Sequence, residues 1–172
     1  ATDLWGLDIS PNQIERTENY LQTQGINAKL ICSPMEDECG LPIDYFDLVY
    51  SVYGIGWTTS LDKTFKRIHS YLKKDGVFVF SWSHPIHKCV SVEDEKLVFS
   101  NSYFNEEWYC ADMSDKEIML SNRMLSTYIN SLARNGFIIE ELIEETDKEK
   151  AMASDNDFGR KALMLPTAFV IK

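Results

Sequence analysis

A chain of 172 residues, 44% hydrophobic and 12% aromatic, is long enough to bury a sizeable core and reads as one domain. No apolar run approaches the ~18 residues of a membrane span, and no basic region followed by an apolar stretch opens the chain; a soluble, cytoplasmic protein is expected. A net charge of −10 repels polyphosphates, since nucleic-acid affinity comes mostly from Lys and Arg neutralising phosphates, so the expected partner is a small molecule, with no nucleic acid and no membrane.

The stretch "LWGL" (4–7) is a short apolar run that stops at Asp8. Ser10 and Pro11 then supply a helix N-cap and a first-turn proline, Ile14, Thr17 and Leu21 recur at helical spacing, and Gly25 stands where a C′ glycine belongs. "AKLIC" (28–32) predicts a second strand, which the polar "SPMEDECG" cannot continue. "YFDLVYSVYGIGW" (45–57) opens as a strand suited to burial on both faces and turns into a loop at Gly54 and Gly56. After Ser60, Leu61, Phe65, Ile68 and Leu72 mark one face of a helix, with Lys73 and Lys74 at its negative end and Gly76 stopping it. "GVFVFSW" (76–82) is the next strand. Strands alternating with helices at this spacing predict a parallel α/β sheet with right-handed crossovers.

Residues 84–124 break the rhythm with many aromatics among acids and no clean period. They read as an insertion of short strands or a hairpin lying as a lid over the carboxyl edge of the sheet. Tyr128, Ile129 and Leu132 then line a helix ending at Gly136, "FIIEELIE" (137–144) and "TAFVIK" (167–172) read as strands, and the polar segment 146–160 reads as a mobile loop.

Cys32, Cys39, Cys89 and Cys110 form no C-x-x-C pair, and with His69, His84 and His87 they complete no zinc pattern. No metal is expected. Asp8 is the residue best placed to hold a nucleoside, because an acid at the carboxyl end of a strand can accept both ribose hydroxyls. His84 lies just beyond the carboxyl end of a strand, where ligands bind in open α/β sheets, and is a candidate base; a structural turn residue before proline is the plainer alternative. His69 reads as an ordinary helix residue, and Lys73 and Lys74 as a solvated helix end.

The order of these features resembles the class I S-adenosylmethionine-dependent methyltransferases, in their small-molecule branch. "GLDIS" is similar to that family's acidic motif, "LPIDYFDLVYSVYGIGW" to its fourth strand and following motif, and "YLKKDGVFVFSWSHP" to its turn and fifth strand. "GFIIEELIE" before a last strand fits its reversed C-terminal hairpin. The resemblance covers about residues 4–145 and implies a Rossmann-like α/β sheet, mostly parallel with a C-terminal antiparallel strand, with S-adenosylmethionine as cofactor. It implies cofactor contacts from Asp8 to ribose, from Ile9 to an adenine face, from Met35 and Glu36 to adenine, and from Ser51, Val52 and Tyr53 to the methionine part. Glu36 takes the adenine role because Pro34 stands where the family has its acid; a solvated acidic loop is the alternative. The acceptor would meet Tyr53 and His84 as catalytic candidates and Trp57, His87, Arg123 and Tyr128 as substrate contacts.

The family's strand order, 3-2-1-4-5-7-6, places a first strand and a glycine-rich loop ahead of the segment matching Asp8, and neither stands in these 172 residues. The expected domain is therefore N-terminally incomplete. The gap would be filled by a longer parent chain, by strand exchange in a homodimer, or by direct pairing of the flanking strands. Two other functions compete with methyl transfer: an inactive methyltransferase-fold scaffold, and a nicotinamide-dependent oxidoreductase, since Asp8 could equally hold an NAD ribose.

Overall fold

The computed structural model describes residues 3–113, 116–154 and 156–172. Strand β1 (Trp5–Asp8) runs into helix α1 (Pro11–Thr23), whose first turn is closed by the Ser10 hydroxyl accepting from the Gln13 amide. Gly25, with φ +65°, adopts the left-handed conformation that ends the helix. The chain then returns as β2 (Lys29–Cys32), parallel to β1. These two strands form a sheet of their own, and α1, lying over so small a sheet, buries none of its residues completely.

The second sheet holds the core. Its strand order is β3 (Phe46–Val52), β4 (Leu72–Ser83), β10 (Ala168–Ile171), β9 (Leu142–Ile143). β3 and β4 are parallel, and β10 runs antiparallel to both of its neighbours. Helix α2 (Leu61–Tyr71) and helix α4 (Leu125–Arg134) contribute Phe65, Ile68, Tyr128 and Leu132 to a core completed by Phe78, Phe80 and Phe169 from the strands. Phe65 sits within 6 Å of both Phe78 and Phe80, ring centre to ring centre. The sheet is mixed, as expected, with a reversed C-terminal strand.

Four local expectations change. The strand 45–57 is not buried on both faces: Leu48, Tyr50 and Val52 are 54%, 64% and 72% exposed, because no described element lies over the side to which these alternate residues point. The helix after Ser60 stops at Tyr71, and Leu72 is already extended and paired with Phe46. Lys73 and Lys74 thus belong to β4, Lys73 pairing with Asp47 at 2.7 Å, and the left-handed turn is made by Asp75 at φ +63°. Only Leu142–Ile143 of 137–144 pair as a strand, although Glu140 donates its amide to the Lys172 carbonyl. The described part of 146–160 holds two short helices, α5 (Lys148–Ala153) and α6 (Asp157–Ala162), capped by Asp147 and Asn156 and anchored by buried Ala151 and Ala162. Their caps and small apolar anchors are what a composition argument overlooks.

The segment 84–124 carries α3 (Pro85–Lys88) and two hairpins, β5 (Val90–Glu93) with β6 (Lys96–Phe99), and β7 (Trp108–Met113) with β8 (Lys116–Ser121).

The β1–β2 sheet and the four-stranded sheet meet without sharing a ladder. At the foot of β1 and β3, Tyr45 donates its hydroxyl to Asp3 at 2.6 Å and Trp5 packs edge-on against Tyr45 and Phe46. At the opposite end Glu36 reaches the turn after β3, accepting from the Thr59 amide at 3.1 Å and from the hydroxyls of Thr59 and Thr58. Between these ties lies a cleft of about 810 Å³, lined by Trp5, Leu7, Met35, Leu48, Tyr50 and Ser51 among others. Among the described residues β1 pairs only with β2, and β3 only with β4. Direct pairing of β1 with β3 is therefore not made, and each presents its other edge to the cleft.

Burial pushes the Glu36 carboxyl up, but the hydrogen bonds from Thr59 and Thr58 outweigh it and hold its pKa below the usual value. An unfolded glutamate titrates near about 4.3, so the stability that Glu36 contributes is fully present above that pH and is lost as pH falls through the lower folded value. Glu36→Gln should cost about 1 kcal/mol at neutral pH, read from urea unfolding. As pH falls from about 4.3 through the lower folded value the two proteins should converge.

Candidate functional site

Asp8 is the last residue of β1, and its carboxylate is held by one bond, the Ser10 amide donating to Oδ1 at 2.7 Å. The Ser-Pro turn into α1 therefore fixes the acid at the strand's carboxyl end while leaving it exposed, with its second oxygen directed to no described partner. The next side chain, Ile9, is 66% exposed. An unshielded acid beside an exposed aliphatic side chain offers the two surfaces a nucleoside needs, acceptors for hydroxyls and an apolar face for a base.

Across the cleft, Ser51 lies at the carboxyl end of β3 and lines the cleft, followed by exposed Val52. Tyr53 has φ +52°, a left-handed conformation uncommon for a residue with a side chain, and its amide donates to the Ser81 carbonyl. Strain of this kind concentrates at functional sites. The Trp57 indole donates to the Tyr53 carbonyl at 3.2 Å, and Trp82 lies between the two, 6.0 Å from each ring centre. Gly56 permits this: a Cβ there would sit 1.7 Å from the Trp82 ring. Tyr53 and Trp57 are 48% and 38% exposed, so the aromatic group is supported from within and open outside.

Other candidates sit elsewhere. Met35 packs against the core and lines the cleft, and Glu36 is the tie described above, with both oxygens taken by Thr58 and Thr59. His84 is buried. Its Nδ1 accepts from the Ile86 amide at 3.1 Å, capping α3, and its Nε2 lies 2.5 Å from Glu144 Oε1. Since Nδ1 accepts, Nε2 carries the proton and donates to Glu144. Both nitrogens are used within the fold, which is a structural role and leaves none for an acceptor's proton. His87 packs edge-on against Phe158 of α6, and burial, then Lys161, Lys88 and His84, lowers its pKa.

Arg123 spans from the end of β8 to the turn after β3, donating to the carbonyls of Gly56 and Thr58 at 3.2 and 2.5 Å, with its guanidinium 5.6 Å from the Trp108 ring centre. It fastens the second hairpin beside the carboxyl end of β3. Tyr128 is a core residue, 1% exposed and packed on Phe80 and Phe169; burial raises its pKa. The helix that carries it was legible, but the apolar stripe containing Tyr128 was the reason to expect it inside. Residues that the sequence did not single out, Thr58, Thr59 and Glu144, act through contacts many residues apart and have no local signature.

Asp8 and Ile9 thus stand at the carboxyl end of β1, and Ser51, Val52, Tyr53 and Trp57 at or just beyond that of β3, with Ser51 lining the cleft. No group of three or more potential metal ligands occurs among the described residues, and no helix among them is long and apolar enough to cross a membrane.

Residues 1–80 match the model of a family described as a methyltransferase domain. A curated relative, an uncharacterized protein of Haemophilus influenzae, is 24% identical over 161 residues; the match covers 84% of this chain, which spans 61% of the relative's length. Among solved structures, an S-adenosylmethionine-dependent methyltransferase of Mesorhizobium loti superposes with a TM-score of 0.82 at 26% identity, covering 99% of this chain and 79% of that one. A second structure of this kind, from Listeria monocytogenes, gives a TM-score of 0.78 at 23% identity over the same shares. Among the described residues the sheets β1-β2 and β3-β4-β10-β9 stand on either side of the cleft. The chain thus has the fold of S-adenosylmethionine-dependent methyltransferases of known structure, and its first 80 residues match a methyltransferase domain.

Proposed function

We propose that this protein transfers the methyl group of S-adenosylmethionine to a small-molecule acceptor. The observation that carries the reading is the exposed Asp8 carboxylate at the end of β1, fixed by the Ser10 amide and flanked by exposed Ile9. Asp8 holds the ribose hydroxyls, Ile9 covers an adenine face with Met35 behind it, and Ser51 and Val52 border the methionine part. The bound cofactor supplies an activated methyl and its own leaving group. What the chain must do is hold the acceptor in line and dry, which is positioning. Tyr53 and Trp57, exposed and braced on Trp82, are the residues for that task. His84, clamped at both nitrogens, organises the end of β4 and takes no proton. A strongly acidic chain favours a small molecule over a polyphosphate.

The cleft belongs to this reading. It is bounded by one edge of β1 and one of β3, both parallel to a common direction, and a single further strand parallel to them would complete the sheet. Such a strand comes from a longer parent chain, in keeping with the greater length of the relatives, or from a second copy by exchange. Either source satisfies backbone groups that cost about 1 to 3 kcal/mol each when buried unpaired.

Asp8→Ala in the full-length protein should weaken S-adenosylmethionine binding by about 10- to 150-fold, the equivalent of 1.5 to 3 kcal/mol for hydrogen bonds to a charged group. Calorimetric titration reads it, and unchanged affinity would remove Asp8 from the site. Hydrogen exchange tests the cleft: in the full-length protein the β3 amides facing it should be as slow as those facing β4. Light scattering then separates the sources, a monomer indicating the parent chain and a dimer strand exchange.

A further inference from the structure

A second, polar pocket of about 280 Å³ lies between the N-terminus of α2, the face of α4 and the β7–β8 hairpin. Its lining includes Asp62, Glu106, Trp108, Ser121, Arg123 and Arg134. The two acids are already matched: Asp62 accepts from Ser131, Arg134 and Asn135, and Glu106 from the Met124 amide and the Thr127 hydroxyl. Arg134 is matched in turn by Asp62.

Arg123 is different. It is half-buried, and its partners among the described residues are the Gly56 and Thr58 carbonyls, the Trp108 ring and the Tyr128 phenol. None of these is an anion, so among the described residues Arg123 has no carboxylate within ion-pair distance, although Glu106 stands on the same pocket wall. A guanidinium has five N–H donors, and these contacts leave some unused. Independently, Ser121 is 5% exposed and its hydroxyl has no hydrogen-bond partner among the described residues. A buried hydroxyl without a partner is costly unless a ligand or water completes it. Arg123, which has no ion-pair partner among the described residues, and Ser121, whose buried hydroxyl is unsatisfied, thus belong to the wall of the same small pocket, beside the turn that carries Trp57.

We propose that this pocket binds the carboxylate of the acceptor molecule, with Arg123 and Ser121 as its donors; as an acceptor subsite it rests on the methyltransferase reading above. Arg134 is paired with Asp62, so Arg123 is the cation left to meet an anion, and a single negative charge is the most it can match. Arg123 supplies one positive charge, while the Asp62 and Glu106 carboxylates on the same walls oppose a phosphate dianion. The planar fork of a guanidinium also suits a planar carboxylate, and Trp108 offers an apolar face to the ligand's body.

Benzoate, its neutral analogue benzamide, and inorganic phosphate serve as probes, titrated into the full-length protein without cofactor and followed by calorimetry. Benzoate should bind at least about tenfold more tightly than benzamide or phosphate. Ser121→Ala, a small change that keeps the fold, should weaken benzoate about three- to tenfold, and Arg123→Gln should weaken it further. Circular dichroism checks that Arg123→Gln, which also ties the hairpin, is folded. Arg123→Lys keeps the charge without the fork and should fall between wild type and Gln. Equal binding of benzoate and benzamide, tighter binding of phosphate, no binding of benzoate, or indifference to Ser121→Ala would each overturn the assignment. Parallel titration with S-adenosylmethionine keeps the two readings apart: benzoate binding without cofactor binding contradicts the methyltransferase site alone, and the reverse contradicts this pocket alone.

Discussion

The backbone of β3 is the constraint on which the rest of the structure turns. One edge is satisfied by β4; the other faces a cleft in which β1, equally one-sided, stands opposite. Sheets do not tolerate long unpaired interior edges, so what holds the β1–β2 unit against the main sheet must be side chains. Two small groups do it: Asp3, Trp5, Tyr45 and Phe46 at the foot, and Glu36 with Thr58 and Thr59 at the top. The second tie also links the strand pair that carries Asp8 to the turn after β3, because Glu36 follows the strand after Asp8 and Thr59 follows Tyr53 and Trp57.

The carboxyl edge is then assembled by clamps that leave the reactive surface free. Tyr53 is held in a left-handed conformation by its amide bond to Ser81, Trp57 by its bond to Tyr53, and both rest on Trp82. Arg123 secures the second hairpin to the same turn, and His84 secures α3 and the end of β4 to Glu144. For the methyl transfer proposed above, whose leaving group would arrive with the cofactor, a rigid frame with an open aromatic surface is a more direct requirement than a base.

Much of this was legible along the chain because it is encoded locally. The Asp-x-Ser-Pro start of α1, Gly25 at its end, the apolar runs of β3 and β4, and the stripe of α2 each follow from periodicity and capping chemistry alone. The features that were misread depend on partners far away. Leu48, Tyr50 and Val52 looked interior because their run is apolar, yet burial is set by what lies across the strand. His84 looked like a base because of its place after β4, and only Glu144, sixty positions on, shows both nitrogens to be engaged. Arg123 and Tyr128 are close in sequence and differ wholly in role, one facing a pocket and one filling the core.

The central claim is that the exposed acid at the end of β1 and the turn after β3 together hold the cofactor. A crystal structure of the full-length protein with S-adenosylhomocysteine, the demethylated cofactor, tests it most directly. The account predicts ribose hydroxyls on the Asp8 carboxylate, adenine against Ile9, and the sulfur near Ser51 and Tyr53. A nucleoside seated away from Asp8, or a ligand whose sulfur lies far from Tyr53 and Trp57, would contradict it.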